Sequence, residues 1–182
     1  MNTLAMTDAI LMLVALRLAW AGRERALVLI GATLLMLAAL LGVLRFSGLL
    51  PLPQWHQFFS MLGAGVSLPA LAASLLWPTS SVTTERGLGW IFTIALAVLC
   101  VLTGVVAQFK IAPQVLGLTA VLAVLVLAVR HRQLDLGLGA GSMLLGFALF
   151  TGKVQVIGLQ SGDFLHIFMT VGLLLLHPRL TR

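Results

Sequence analysis

Charge is what this chain has least of. Acidic and basic residues together make up 9% of its 182 positions. A soluble domain carries roughly 25%, so this chain has too little charge to cover a surface in water, and a soluble fold is excluded. Cysteine is nearly absent: Cys100 stands alone inside an apolar run. That excludes an intramolecular disulfide and says nothing about redox compartment. There is no Gly-x-x-x-x-Gly-Lys phosphate loop, no Cys-x-x-Cys and no His-Glu-x-x-His. There is no Gly-x-Ser-x-Gly elbow, and no span carries the every-third-residue arginines of a voltage sensor. Period-two alternation is missing as well, so backbone polar groups in lipid have to be satisfied within helices.

What is there is apolar sequence, 60% of the chain, cut into runs of membrane-spanning length. A hydrocarbon core of about 30 Å takes roughly 20 helical residues, and that ruler gives seven runs: Leu4–Trp20, Ala26–Leu44, Trp55–Trp77, Leu88–Phe109, Gln114–Val129, Leu134–Thr151 and Asp163–Leu176. The longest polar stretch, Pro78–Gly87, is a loop. The expected fold is all-α: one transmembrane domain over residues 1–182, a polytopic bundle of seven helices. The first run has no basic n-region before it and carries Asp8 early, so it reads as a retained span. Pro69, with Gly63 and Gly65 just before it, predicts a kink in the third run. Gly137 and Gly141 form a small-xxx-small pair that predicts close packing of the sixth.

The net charge of +6 would point to nucleic acid in a soluble protein. Here the bases lie between spans, where they set orientation rather than bind nucleic acid. Arg45, Lys110 and Lys153 fall on the N-terminal side. Arg17, Arg23, Arg25, Arg86, Arg130, Arg132, Arg179 and Arg182 fall on the other, three against eight. The positive-inside rule then predicts the N-terminus outside and the C-terminus in the cytoplasm, in a cell membrane of the bacterial inner-membrane type.

With that topology the unusual side chains gather near the outer face. Asp8 lies in the first helix, Arg45 at the end of the second, His56 and Ser60 at the start of the third, and Asp163 and His166 at the start of the seventh. His56, Ser60, Gly63 and Ser67 recur at four, three and four residues, one helical face. Asp163, His166 and Thr170 do the same. A charged group in the core costs about 2.5–3.5 kcal/mol on insertion scales, so these groups are expected to face protein or water in one pocket. A plainer reading stands beside that one: His56 as an interfacial residue, Asp163 as a first-turn acid favoured by the helix dipole, Lys110 and Lys153 as anchors, and Arg45 paired with Asp8 or Asp163. Ser67 and Thr103 are expected to bond to their own helix backbone.

Three chemistries suit the cluster. In the first, His56, Asp163 and His166 ligate zinc with a position open for water. Ser60 and Asp8 serve as catalytic groups, and Arg45, Lys110 and Lys153 hold the substrate. The His and Ser four apart on one helix, with Asp163 and His166 on the last of seven, resemble the superfamily of alkaline ceramidases and adiponectin receptors. That resemblance implies a zinc-dependent hydrolase acting on a lipid-like amide or ester. Thr170 stands where that superfamily has a second histidine on its last helix. In the second chemistry, His56 and His166 supply the two axial nitrogens of a haem. In the third there is no catalysis, and the cluster of a membrane subunit or binding protein holds a lipid headgroup or a partner membrane protein.

Overall fold

The computed structural model describes residues 2–109, 111–156 and 158–181. Among them, seven helices are long and apolar enough to cross a membrane: α1 (Thr3–Ala21), α2 (Ala26–Phe46), α3 (Pro53–Leu76), α4 (Arg86–Val106), α5 (Ala112–Arg130), α6 (Leu134–Thr151) and α7 (Ser161–Leu180). No strand forms among the described residues, where the only β pairing is an isolated bridge between Val156 and Leu159.

Local chemistry sets the helix ends. The Asn2 side chain accepts the Leu4 N–H at 3.2 Å and starts α1. Pro53 opens α3 and Pro113 lies in the first turn of α5, positions where the missing N–H has no intrahelical partner to lose. A capping box starts α7: the Gln160 side chain takes the Asp163 N–H, and the Asp163 carboxylate takes the Gln160 N–H. This helix runs four residues past its expected end. The Arg25 guanidinium donates to the carbonyls of Arg179 (3.3 Å) and Leu180 (3.1 Å), supplying partners that a helix C-terminus otherwise lacks.

The third helix departs from expectation in an instructive way. The backbone opens into a π-helical turn over Gly63–Ser67 and resumes α-helical bonding at Leu68. The N–H that Pro69 cannot supply therefore falls just past the point where the ladder changes register. A second π turn, Leu102–Val106, ends α4 three residues short of the expected Phe109.

Small residues draw α3 into the middle of the bundle, where it contacts α2, α4, α5 and α7. Within its apolar window 67% of the residues are buried, against 22% in α4, which leaves α4 at the periphery. Ser67 is fully buried and donates to the Gly31 carbonyl of α2 at 2.6 Å, not to its own helix as expected. Thr103 does bond its own helix, at Leu99. The close approach of α6 to α7 uses other glycines than the expected pair. A Cβ on Gly172 would come 2.9 Å from the Gly139 carbonyl, whereas one on Gly141 would meet nothing within 4 Å. The main core runs through α1, α2, α3, α5, α6 and α7 around Ala15, Leu18, Ala140 and Leu173.

The two ends of the bundle differ in charge. At one end Arg86 pairs with Glu24 at 2.9 Å, Arg179 with Asp135 at 2.8 Å, and Arg25 also donates to the Ser74 carbonyl at 3.0 Å. These contacts bring together the α1–α2 turn, the starts of α4 and α6 and the ends of α3 and α7, so Arg23, Arg25, Arg86 and Arg179 share one end. Trp20, Trp77 and Trp90 are exposed near that same end. The start of α1, the end of α2 and the starts of α3 and α7 meet at the other.

Candidate functional site

At that second end, buried carboxyl groups link α1 to α7. Asp163 is fully buried, and both its oxygens are engaged: Oδ2 accepts from the Gln160 N–H (2.8 Å) and the Thr3 hydroxyl (3.0 Å), and Oδ1 from the Thr7 hydroxyl (3.1 Å). This is the first-turn role, extended into a clamp on α1. Thr3 and Thr7 were not singled out from sequence. Their spacing of four ahead of Asp8, on one face of an apolar helix, is the signal that marks them.

One residue beyond Thr7, Asp8 is 1% exposed. Its Oδ1 lies 3.3 Å from His166 Nδ1, and the Thr7 hydroxyl is 3.5 Å from the same nitrogen. Among the described residues, Asp8 Oδ2 is buried with no hydrogen-bond partner. It packs against Gly42 of α2, where a Cβ would collide with it. A glycine in an apolar run gives no sign of what it faces, so the sequence alone does not mark Gly42.

Arg45 pairs with neither acid. Its Nη1 lies 3.2 Å from His56 Nδ1, and its guanidinium sits 5.1 Å from the centre of the Phe46 ring. A guanidinium has no acceptor, so His56 Nδ1 must be the acceptor. The ring is therefore the neutral tautomer with its proton on Nε2.

Asp8, His56, Ser60 and His166 line one cavity of about 100 Å³, whose remaining walls are mostly apolar and include Leu11, Leu35, Phe147 and Met169. Ser60 is exposed, so the cavity reaches the surface there. The expected polar face of α3 thus divides: His56, Ser60 and Gly63 line the cavity, while Ser67 turns to α2. Asp163 and Arg45 stand behind the lining. Lys153 is exposed in the α6–α7 connection, with a φ of 52°, and does not line the cavity. Lys110 lies outside the described residues.

The zinc set named from sequence does not close around one point. Asp163 gives its oxygens to Thr3, Thr7 and Gln160. Among the described residues, no group of three His, Cys, Asp or Glu side chains is placed to hold a metal ion. The cavity is small, with room for several waters or one small functional group.

What the arrangement offers is acid–base chemistry. His166 is oriented through Nδ1 by a buried carboxylate, and its Nε2 has no protein partner among the described residues. His56 contributes an N–H of fixed tautomer. No family model, curated protein or solved structure matches this chain.

Proposed function

We propose that the chain is a multi-pass protein of the cell membrane whose outer cavity receives the polar end of a lipid-like molecule and hydrolyses an amide or ester there. It crosses seven times, with its N-terminus outside and its C-terminus in the cytoplasm of a bacterial inner membrane. The clustering of arginines at the opposite end supports that orientation.

One observation carries the hydrolytic reading. A hydroxyl, Ser60, and an imidazole held by a buried carboxylate, His166 with Asp8, line the same cavity. In this scheme His166 Nε2 takes a proton from Ser60, or from a water beside it, as the oxygen attacks the carbonyl. Asp8 holds the imidazolium that forms. The His56 Nε2–H, with its tautomer fixed by Arg45, donates to the developing oxyanion. His166 then returns the proton to the leaving group. Where Ser60 is the nucleophile, a water deprotonated by the same imidazole next cleaves the acyl ester, and the proton passes back to the Ser60 oxygen. No step in this scheme passes through a metal.

The test uses purified protein in lipid nanodiscs and a fluorogenic long-chain ester. Turnover should fall by about 10²-fold or more in His166→Ala, the range of a general base. Equal turnover in His166→Ala and wild type would overturn the scheme.

A second reading has its own support. The cavity is well under the roughly 300–1,000 Å³ of pockets that enclose a drug-sized ligand. A small site suits a binding protein or membrane subunit that holds one group of a lipid or partner without turnover. Saturable lipid binding with no hydrolysis by wild type would favour it.

A further inference from the structure

The free oxygen of Asp8 carries information about what the cavity accepts. Asp8 Oδ1 and His166 Nδ1 are 3.3 Å apart. With Asp8 ionised and one proton shared between these two atoms, Oδ2 keeps its lone pairs and is an acceptor. It is buried on a residue 1% exposed, has no partner among the described residues, and belongs to a side chain that lines the cavity. Leaving such an atom unpaired costs about 1–3 kcal/mol, and more when it is charged.

The surrounding charges are one-sided. Asp163 stands behind Asp8 on α7, bridged to it through Thr7 and His166. Among the described residues, no lysine or arginine lines the cavity, and His56 and His166 are the only other titratable groups in the lining. Arg45 on α2 is turned to His56 Nδ1. A carboxylate or phosphate brought into this space would meet the ionised Asp8 oxygen with no cation among the described lining residues to offset the repulsion.

We infer that the cavity is selective for an apolar chain ending in a hydrogen-bond donor, a primary ammonium above all and a hydroxyl next, and that it rejects anionic ends. Asp8 Oδ2 is the anchoring acceptor, and Leu11, Leu35, Phe147 and Met169 receive the first carbons of the chain. This inference rests on the proposed function only in placing a lipid-like molecule in the cavity. It adds the charge of that molecule's end.

The experiment measures equilibrium binding of radiolabelled dodecylamine to wild-type protein in phosphatidylcholine nanodiscs, with empty nanodiscs as background and with dodecanol and lauric acid as competitors. Expected is saturable amine binding, displaced by dodecanol at higher concentration and at least about tenfold less effectively by lauric acid, as loss of a charge-assisted bond implies. Asp8→Asn should weaken the amine about tenfold or more while changing dodecanol by less than about threefold. The competition series needs no variant, so it stands even where Asp8→Asn does not fold. Saturable binding in which lauric acid displaces the amine as well as dodecanol does would overturn the charge selectivity and leave the pocket in place. No saturable binding of any of the three would overturn both readings.

Discussion

Asp8 lies flat against Gly42, its unpartnered carboxylate oxygen occupying the space that a side chain on that glycine would fill. The two residues sit on α1 and α2, 34 positions apart, and their contact sets where the acid can point. Replacing Gly42 by alanine forces the carboxylate, the helix or both to move. Gly42→Ala is expected to destabilise the protein by about 1–3 kcal/mol, the usual cost of overpacking, and to weaken amine binding in parallel. Thermal unfolding in detergent with the binding assay checks both. A variant as stable and as tightly binding as wild type would show that the contact is loose.

The clamp between α1 and α7 is the second test. Asp163→Ala leaves the Thr3 and Thr7 hydroxyls and the Gln160 N–H without their acceptor, and is expected to cost at least about 1–3 kcal/mol. Thr7→Val alone should cost less. Because the two groups share one bond, the double variant should fall short of additivity by about 0.5 kcal/mol or more. Chemical denaturation of all four proteins measures this. Additive losses would mean that Thr7 and Asp163 act independently.

The tautomer of His56 is a prediction that needs no perturbation. In ¹⁵N NMR of histidine-labelled protein, the His56 signal should show an unprotonated Nδ1 and a proton on Nε2. In Arg45→Ala the preference is expected to relax towards a mixture. A proton on Nδ1 in wild type would remove the Arg45 contact and, with it, the oxyanion donor.

Metal content separates acid–base chemistry from the zinc scheme that the ligand types invite. Purified wild type, His56→Ala and His166→Ala should hold equal zinc, well below one ion per chain. One zinc per chain in wild type, lost in both variants, would show that the two imidazoles share a metal and that Asp8 positions a ligand instead of a base.

The helices were legible because lipid imposes a single rule: backbone groups bond internally and side chains are apolar. Seven runs found by length became seven helices, and Leu134–Thr151 kept both its ends. The misses share a cause. The π turn at Gly63–Ser67, the use of Gly139 and Gly172 in place of Gly137 and Gly141, and the turn of Ser67 to Gly31 all depend on which neighbour a face meets. A run that is apolar all round does not encode that. The site was half legible. His56, Ser60, Asp8 and His166 stood out because polar groups are costly at that depth. The division of labour between Asp163, engaged with threonines, and Asp8, facing the cavity, depends on two hydroxyls that draw no notice in a greasy helix.

Accessibility of Ser60 tests the central claim most directly. In a Cys100→Ser background, Ser60→Cys is reacted in intact cells with a small, charged, membrane-impermeant thiosulfonate, with and without dodecylamine. The account predicts modification from outside the cell and slower modification when the amine is present. A cysteine at position 60 that stays unmodified from outside while one at Trp77 reacts there, or a rate the amine does not change, would contradict an outward-opening cavity and the chemistry assigned to it.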